Sequence, residues 1–152
     1  MYHIVIQQAT DKTLSPKASL LKRWAKLALS KIIEQGELTI RIVSTAEMST
    51  LNNTYRHKNY PTNVLSFPFT MPKGIDMPIP ILGDIVICAD IVNKEAIEQH
   101  KSQEAHWAHM IVHGIFHLLG YDHENEDDAT QMESLEIETL NALGFPNPYE
   151  IN

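Results

Sequence analysis

The sequence has little cysteine and no long apolar run. A single cysteine, Cys88, occurs in 152 residues, so no disulfide can close within one chain, which is typical of a reducing compartment and predicts a cytoplasmic location. No apolar run approaches the roughly 20 residues of a transmembrane helix. The N-terminal segment has neither the basic start nor the apolar centre of a signal peptide. We therefore expect no association with a membrane.

Basic residues are also scarce. The chain has 12 Lys and Arg against 19 Asp and Glu, a net charge of −7, which counts against a general nucleic-acid binder. The charge is unevenly distributed, because residues 1–60 hold nine basic and four acidic residues, and residues 61–152 hold three and fifteen. One surface of the fold can therefore still be basic. The alternative is that the lysines between Lys17 and Lys31 simply solvate one helix.

The hydrophobic pattern predicts one α+β domain over residues 1–152, with a mixed four-stranded sheet packed with about five helices. Five residues or pairs predict helix starts: Ser15 followed by Pro16, Ser44 with the capping-box spacing to Glu47, Asp90, Ser102, and Asp127 or Asp128. The predicted strands cover residues 2–7, 38–43, 64–69 and 84–88, and the predicted helices cover residues 16–35, 44–56, 90–100, 102–120 and 127–143. The helix over 102–120 is apolar around most of its circumference, which predicts a central, buried position.

Histidines cluster on and just beyond this central helix. The chain has eight histidines, and five of them lie within eighteen residues: His106, His109, His113, His117 and His123. His113 and His117 are four residues apart, so their imidazoles lie on one helical face. Gly120 can end the helix and turn the chain so that His123 returns as a third ligand. Three neutral nitrogens leave the fourth position of zinc open, which is the catalytic arrangement. The sequence therefore predicts one zinc ion per chain, bound by His113, His117 and His123.

The same histidine spacing, with its helix and glycine turn, is found in the metzincin peptidases. Their motif has a glutamate directly after the first histidine, where it serves as the general base. Here that position is Gly114, so a peptidase is the weaker interpretation. His106 and His109 lie one and two turns upstream, and we interpret them as structural or polar-face residues, although either could support a ligand from behind.

Three stretches of the sequence resemble the YbeY endoribonucleases. They are residues 113–123 (HGIFHLLGYDH), residues 51–56 (LNNTYR) with 62–68 (TNVLSFP), and residues 82–87 (LGDIVI). They occur in the order found in that family, and the chain length also agrees. One departure is Asn63, where the family usually has aspartate; an acid role is therefore doubtful there, but an amide can still orient a neighbour.

This resemblance implies a zinc-dependent, single-strand-specific endoribonuclease. It implies a role in ribosomal RNA processing, notably at the 3′ end of the small-subunit RNA, and in ribosome quality control. The implied partners are single-stranded and ribosomal RNA, the ribosome and ribosome-associated proteins. Carried over by position, His113, His117 and His123 are the zinc ligands, and Arg56 is the essential basic residue.

Arg56 also fits such a role through its own chemistry. Phosphodiester cleavage builds negative charge on phosphate oxygens, and a planar guanidinium can bind two of them. Arg56 lies in a short basic and aromatic segment, residues 55–58 (YRHK), in which Lys58 is a further candidate for contact with the RNA backbone. Without the resemblance, a surface arginine at a helix end is the preferred interpretation.

The sequence leaves the general base unassigned. Asp122 is the acid nearest the third histidine but could equally be a turn residue, and Asp84 could brace a loop or touch the substrate. Two other functions remain open: a zinc peptidase-like hydrolase, and a non-enzymatic ribosome-associated factor with a structural zinc. For an endoribonuclease, we expect RNA to contact the early helices and the metal cleft, with the acidic helix over 127–143 facing away.

Overall fold

The computed structural model describes residues 1–75, 77–121 and 125–150. Within these residues it contains four strands and five α-helices, which confirms the predicted α+β class. In chain order they are β1 (Tyr2–Gln8), α1 (Ala18–Ser30), β2 (Gly36–Val43), α2 (Thr45–Arg56), β3 (Val64–Pro68), β4 (Ile81–Cys88), α3 (Ala89–Glu98), α4 (Gln103–Leu118) and α5 (Glu126–Ala142). Of these helices, none combines the length and apolarity that crossing a membrane requires.

The four strands form one mixed sheet in the order β1-β2-β4-β3. β1 and β4 both pair with β2 in parallel, and β3 pairs with β4 antiparallel. The central strands β2 and β4 are rich in β-branched and other aliphatic residues, as expected for strands covered on both sides. The helix α4 packs against β4 and against the antiparallel edge strand β3, which places β3 beside the predicted metal site.

Helices cover the two faces of the sheet unequally. The larger core lies between the sheet and helices α1 and α4, and includes Ile40, Ile85, Leu21 and Ile111, all fully buried. The smaller core lies on the opposite face, where Met48 of α2 packs with apolar residues of β2, β3 and β4. As a result, α2 and α4 lie on opposite sides of the sheet, and both lie next to β3.

The helix α4 is the centre of the fold, as its apolar circumference predicts. Eleven of its sixteen residues are buried. It packs against α1, α3 and α5 and against strands β3 and β4. A helix with this many neighbours is a rigid base for side chains that project from its remaining face.

The predicted boundaries of the first helix are wrong at both ends. Ser15 does not cap it, because Ser15 ends a short 3₁₀ turn at Lys12–Leu14, and α1 begins after Lys17 without a side-chain cap. The helix ends at Ser30 rather than at residue 35. Gly36 opens β2 instead of ending the helix, because it pairs with Tyr2 of β1.

The serine caps of α2 and α4 are predicted correctly, and the acidic caps of α3 and α5 are not. The hydroxyl of Ser44 accepts a hydrogen bond from the Glu47 amide at 3.3 Å, and Ser102 caps α4 in the same way. In contrast, α3 begins before Asp90, directly after β4. The cap of α5 is Asn125, which accepts from the Asp128 amide at 2.9 Å, so the cap lies two residues before Asp127 and three before Asp128.

Candidate metal centre

His113 and His117 project from the last turns of α4, one turn apart. Their rings are almost parallel, with an interplanar angle of 3° and centroids 6.3 Å apart. His117 is exposed and His113 is half-buried. Two parallel imidazoles on one helical face can present the same ring edge to one ion. The third predicted ligand, His123, and the candidate base Asp122 lie outside the described residues.

The hydrogen bonds of these two histidines fix which ring nitrogen is available as a metal donor. The Nδ1–H of His117 donates to the Tyr121 carbonyl at 3.1 Å, and the Nδ1–H of His113 donates to Oε1 of Glu136 at 2.6 Å. Both partners are acceptors, so Nδ1 carries the proton and Nε2 carries the lone pair in each ring. This is the tautomer in which a metal-binding histidine is usually found. The donor chemistry of both residues therefore fits a zinc ion.

Glu136 is a fully buried carboxylate behind His113. Its side chain is 0% exposed, and its second oxygen accepts from the Tyr149 hydroxyl at 2.5 Å. Burial alone would raise the pKa of Glu136, but the nearby His109 imidazole and the hydrogen bonds from His113 and Tyr149 outweigh it and lower the pKa to about 2. Glu136 is therefore an ionised acceptor at neutral pH. It belongs to α5, so one side of this acidic helix contacts the candidate site instead of facing away from it.

The same residues form a second arrangement that could bind a metal ion. Ligand atoms of His109, His113 and Glu136 all lie within 4.8 Å of one another. However, two ligands on tetrahedral zinc are separated by about 3.3 Å at ordinary bond lengths, whereas His113 Nδ1 and Glu136 Oε1 are 2.6 Å apart, at hydrogen-bond distance. A metal in this position would have to replace that hydrogen bond.

His113 and His117 line a cleft of about 590 Å³ together with Arg56. Its other walls are Tyr55 and residues 62–67. Arg56 is exposed in the last turn of α2, which ends at His57 in the left-handed conformation, with φ 57°. The structure thus brings Arg56 together with two of the predicted ligands. Lys58 is exposed just beyond α2 and is not among the described residues that line this cleft.

Close packing of α4 against the sheet explains why glycine occupies position 114. A Cβ built on Gly114 would lie 3.2 Å from methyl groups of Ile85 and Val64, which is tighter than ordinary van der Waals contact. The Gly114 carbonyl also accepts a hydrogen bond from the Ser66 hydroxyl at 2.9 Å. Position 114, where metzincins have their glutamate, therefore faces the sheet. A side chain at this position could not serve as a general base in the cleft.

Replacing Gly114 by glutamate is expected to destabilise the fold by at least about 3 kcal/mol, because it overpacks the contact and buries a carboxylate. The control Ala46→Glu adds the same side chain at an exposed position of α2 and is expected to change stability by less than about 0.5 kcal/mol. Urea unfolding of both variants measures the difference. Equal stability of the two variants would contradict the packing argument.

Asn63 and His106 meet at a second carboxylate, Glu95 of α3. The Asn63 amide donates to both Glu95 oxygens at 3.2 and 3.3 Å, and its own oxygen accepts from the Val64 amide at 2.7 Å. The His106 Nε2–H donates to Glu95 at 3.0 Å. Asn63 therefore orients its neighbours as an amide and joins the start of β3 to α3 and α4. His106 is buried and structural, and it is not on a polar face.

Stability should depend on pH through Glu95. Burial opposes its ionisation, but the hydrogen bonds from His106 and Asn63 lower its pKa below the ordinary value of 4.5. A lowered folded-state pKa contributes stability above the unfolded pKa, and this contribution is lost as the pH falls below about 4.5. We expect Glu95→Gln to flatten the fall in melting temperature in that range. Glu98→Gln, at an exposed position where the carboxylate pairs with Lys94, should leave this fall in melting temperature unchanged. Equal slopes for both variants would exclude this role of Glu95.

Asp84 lies apart from the histidines. It lines a different cleft, of about 420 Å³, with Arg41 and Glu47 on the α2 face of the sheet. The Arg41 guanidinium pairs with Glu47 at 2.7 and 3.0 Å. Tyr55 and Phe67 line both clefts, and their rings pack edge to face against each other. No contact of Asp84 with the metal-site residues is seen in the described ranges.

Sequence reasoning missed Glu136 and Tyr149. Glu136 had a weak signal, since it falls on the buried stripe of α5 with Met132, Thr139 and Leu140, where a charge is unusual. Tyr149 follows the last helix in a short proline-containing tail and gave no signal.

Comparison with known proteins agrees with the geometry. Residues 4–144 match the model of the family "Endoribonuclease YbeY". Proteins named Endoribonuclease YbeY are 51% identical in Nitrosococcus oceani, with 95% of each chain covered, and 53% identical in Pseudomonas putida, with 98% of this chain and 94% of the relative covered. The solution structure of TM1509 from Thermotoga maritima is similar with a TM-score of 0.60 and 25% identity, over 99% of this chain and all of that one. The chain therefore belongs to the Endoribonuclease YbeY family.

Proposed function

We propose that this chain is a metal-dependent endoribonuclease that cleaves single-stranded RNA. The observation that carries the proposal is that Arg56, His113 and His117 line one and the same cleft. In this proposal one zinc ion is held by these two histidines and His123, and residues 1–152 form one catalytic domain. Family membership supports the reaction class, and the imidazole donor set supports zinc.

The residues of the cleft account for binding and charge stabilisation. Arg56 offers a planar pair of donors to the phosphate oxygens, where negative charge grows during cleavage. A bound zinc ion would supply Lewis acidity at the same phosphate. Lys58, exposed beyond the cleft, can contact the next phosphate along the strand.

Tyr55 gives a reason for single-strand specificity. The residue is 63% exposed, and its ring packs edge to face on Phe67, with centroids 5.1 Å apart. An exposed, fixed aromatic ring can stack on an unpaired base. A base inside a duplex is already stacked between its neighbours and has no free face for such a contact. We infer that the scissile strand passes over Tyr55 and places its phosphate between Arg56 and the histidines.

The biological substrate we propose is ribosomal RNA, at the 3′ end of the small-subunit RNA, with a further role in ribosome quality control in the cytoplasm. The support is the resemblance of three sequence stretches to the family. A precursor of small-subunit RNA with an extended 3′ end tests it: the wild-type protein with ribosomes should shorten that end, and equal 3′ ends with and without the protein would contradict this substrate.

The experiment that tests the reaction uses one RNA sequence in two forms. Purified protein is stripped of metal with a chelator, reloaded with zinc and mixed with the single strand or its duplex. We expect cleavage of the single strand only, and only after reloading. Cleavage of a peptide substrate instead would support the peptidase alternative. Biological activity of a folded, metal-free protein would support the non-enzymatic alternative.

A further inference from the structure

We propose that Glu136 and Tyr149 are positioning residues that hold His113 in the orientation for metal binding. The inference rests on the proposed metal site. It says that residues of α5 and of the segment after α5 hold one ligand of that site in place. Glu136 contacts the imidazole of His113 directly, and Tyr149 acts on it through Glu136.

The contacts form a continuous line from the tail to the imidazole of His113. Tyr149 donates its hydroxyl hydrogen to one oxygen of Glu136 at 2.5 Å, and the other oxygen accepts from His113 Nδ1–H at 2.6 Å. His109 donates from Nε2 to the Tyr149 oxygen at 3.3 Å. With both oxygens engaged, the carboxylate has one orientation, and so has the ring that it holds.

The tail that carries Tyr149 is itself fixed to the core. Phe145 packs edge to face against Trp24, with ring centroids 5.8 Å apart, and its amide donates to the Leu140 carbonyl at 2.9 Å. The Tyr149 amide donates to the Asn147 side chain at 2.8 Å. The tyrosine hydroxyl therefore reaches Glu136 from a defined position.

Among the described residues, His113 and His117 differ in burial and in the partner that accepts from Nδ1. His117 is exposed and donates to a backbone carbonyl, where water can solvate a positive charge. His113 is half-buried against a carboxylate that is 0% exposed. A carboxylate in this position fixes the tautomer and the orientation of the imidazole; removal of such a partner typically weakens metal affinity about 10- to 100-fold.

The test measures zinc affinity by chelator competition in the full-length protein. Glu136→Gln keeps the shape and removes the charge, and we expect zinc to bind about 10- to 100-fold more weakly. Tyr149→Phe removes only the donor to Glu136, and we expect a smaller loss in the same direction. The controls are Glu95→Gln, which changes a carboxylate paired with another histidine of α4, and Tyr2→Phe, which removes a tyrosine hydrogen bond to the Ile33 carbonyl between α1 and β2. Both controls should bind zinc as the wild type does.

Cobalt(II) absorption separates a positioning residue from a ligand. If Glu136 positions His113, the ligand set is unchanged, and the cobalt bands of Glu136→Gln keep the wild-type wavelengths at saturation. Wild-type zinc affinity in both Glu136→Gln and Tyr149→Phe would overturn the proposal. Displaced cobalt bands in Glu136→Gln would also overturn it, because they would show that Glu136 is a ligand. If Glu136→Gln does not fold, Tyr149→Phe decides alone. These readouts do not include RNA cleavage. A failure of the proposed function is therefore recognised separately, because the zinc-loaded wild-type protein would then not cut RNA.

Discussion

Replacing His117 by alanine is expected to reduce RNA cleavage about a thousandfold or more. In the proposed site, losing one of the three histidine ligands would remove the metal, which would otherwise contribute several kcal/mol to stabilising the transition state. The imidazole is exposed, and its recorded hydrogen bond goes to a backbone carbonyl, so the effect should not come from unfolding. Initial rates on a single-stranded RNA, together with zinc content by elemental analysis, measure both losses.

The stability of the metal-free protein provides the control for this variant. Metal-free His117→Ala should unfold within about 0.5 kcal/mol of metal-free wild type, as exposed substitutions usually do. Zinc should raise the melting temperature of the wild type and not that of the variant. His3→Ala, at an exposed position of β1, should behave as wild type in all three measurements. Undiminished cleavage by His117→Ala would refute the proposed metal role of this residue.

Replacing Arg56 by alanine is expected to reduce the cleavage rate about 100- to 1000-fold while zinc affinity stays at the wild-type value. Removal of one preorganised donor to a developing anion typically has this effect on kcat. Arg56 lines the cleft with the histidines, and the described contacts of their Nδ1 atoms involve Glu136 and Tyr121 instead. The loss should therefore appear in the chemical step and leave the metal in place.

Arg56→Lys separates positive charge from the shape of the guanidinium. Lysine keeps the charge without the planar pair of donors. We therefore expect Arg56→Lys to cleave faster than Arg56→Ala but more slowly than the wild type. Lys94→Ala removes a cation from an exposed position of α3 and should cleave at the wild-type rate. Single-turnover rates at saturating RNA distinguish a change in kcat from a change in binding. Arg56→Ala with a normal single-turnover rate would exclude Arg56 from the reaction.

Most of the fold could be predicted because its elements have clear local signals. The helix α4 is apolar on nearly every side and lies at the centre, and Ser44 and Ser102 cap helices as expected. Errors arose where tertiary contacts decided the boundary. Ser15 and Pro16 look like a helix start, but Asp11 caps a 3₁₀ turn there by accepting from the Thr13 amide at 3.0 Å. Gly36 looks like a helix end, but strand pairing with Tyr2 places it in β2.

The candidate site was predictable only in part. Four-residue spacing is enough to place His113 and His117 on one face, because helix geometry is local. Arg56 required the family resemblance, since nothing local separates it from any other arginine at a helix end. Glu136 and Tyr149 reach His113 from positions 23 and 36 residues further along the chain, by contacts that exist only once α5 and the tail are packed. No periodicity in the sequence reports such a contact.

The most direct test of this account is the position of the metal, located by anomalous scattering at the zinc edge in crystals of the zinc-loaded protein. We predict one peak on the cleft side of α4, bonded to Nε2 of His113 and Nε2 of His117, with Glu136 still hydrogen-bonded to Nδ1 of His113. A peak among His109, Nδ1 of His113 and Glu136 would contradict it, because the metal would then lie behind the histidines and away from Arg56.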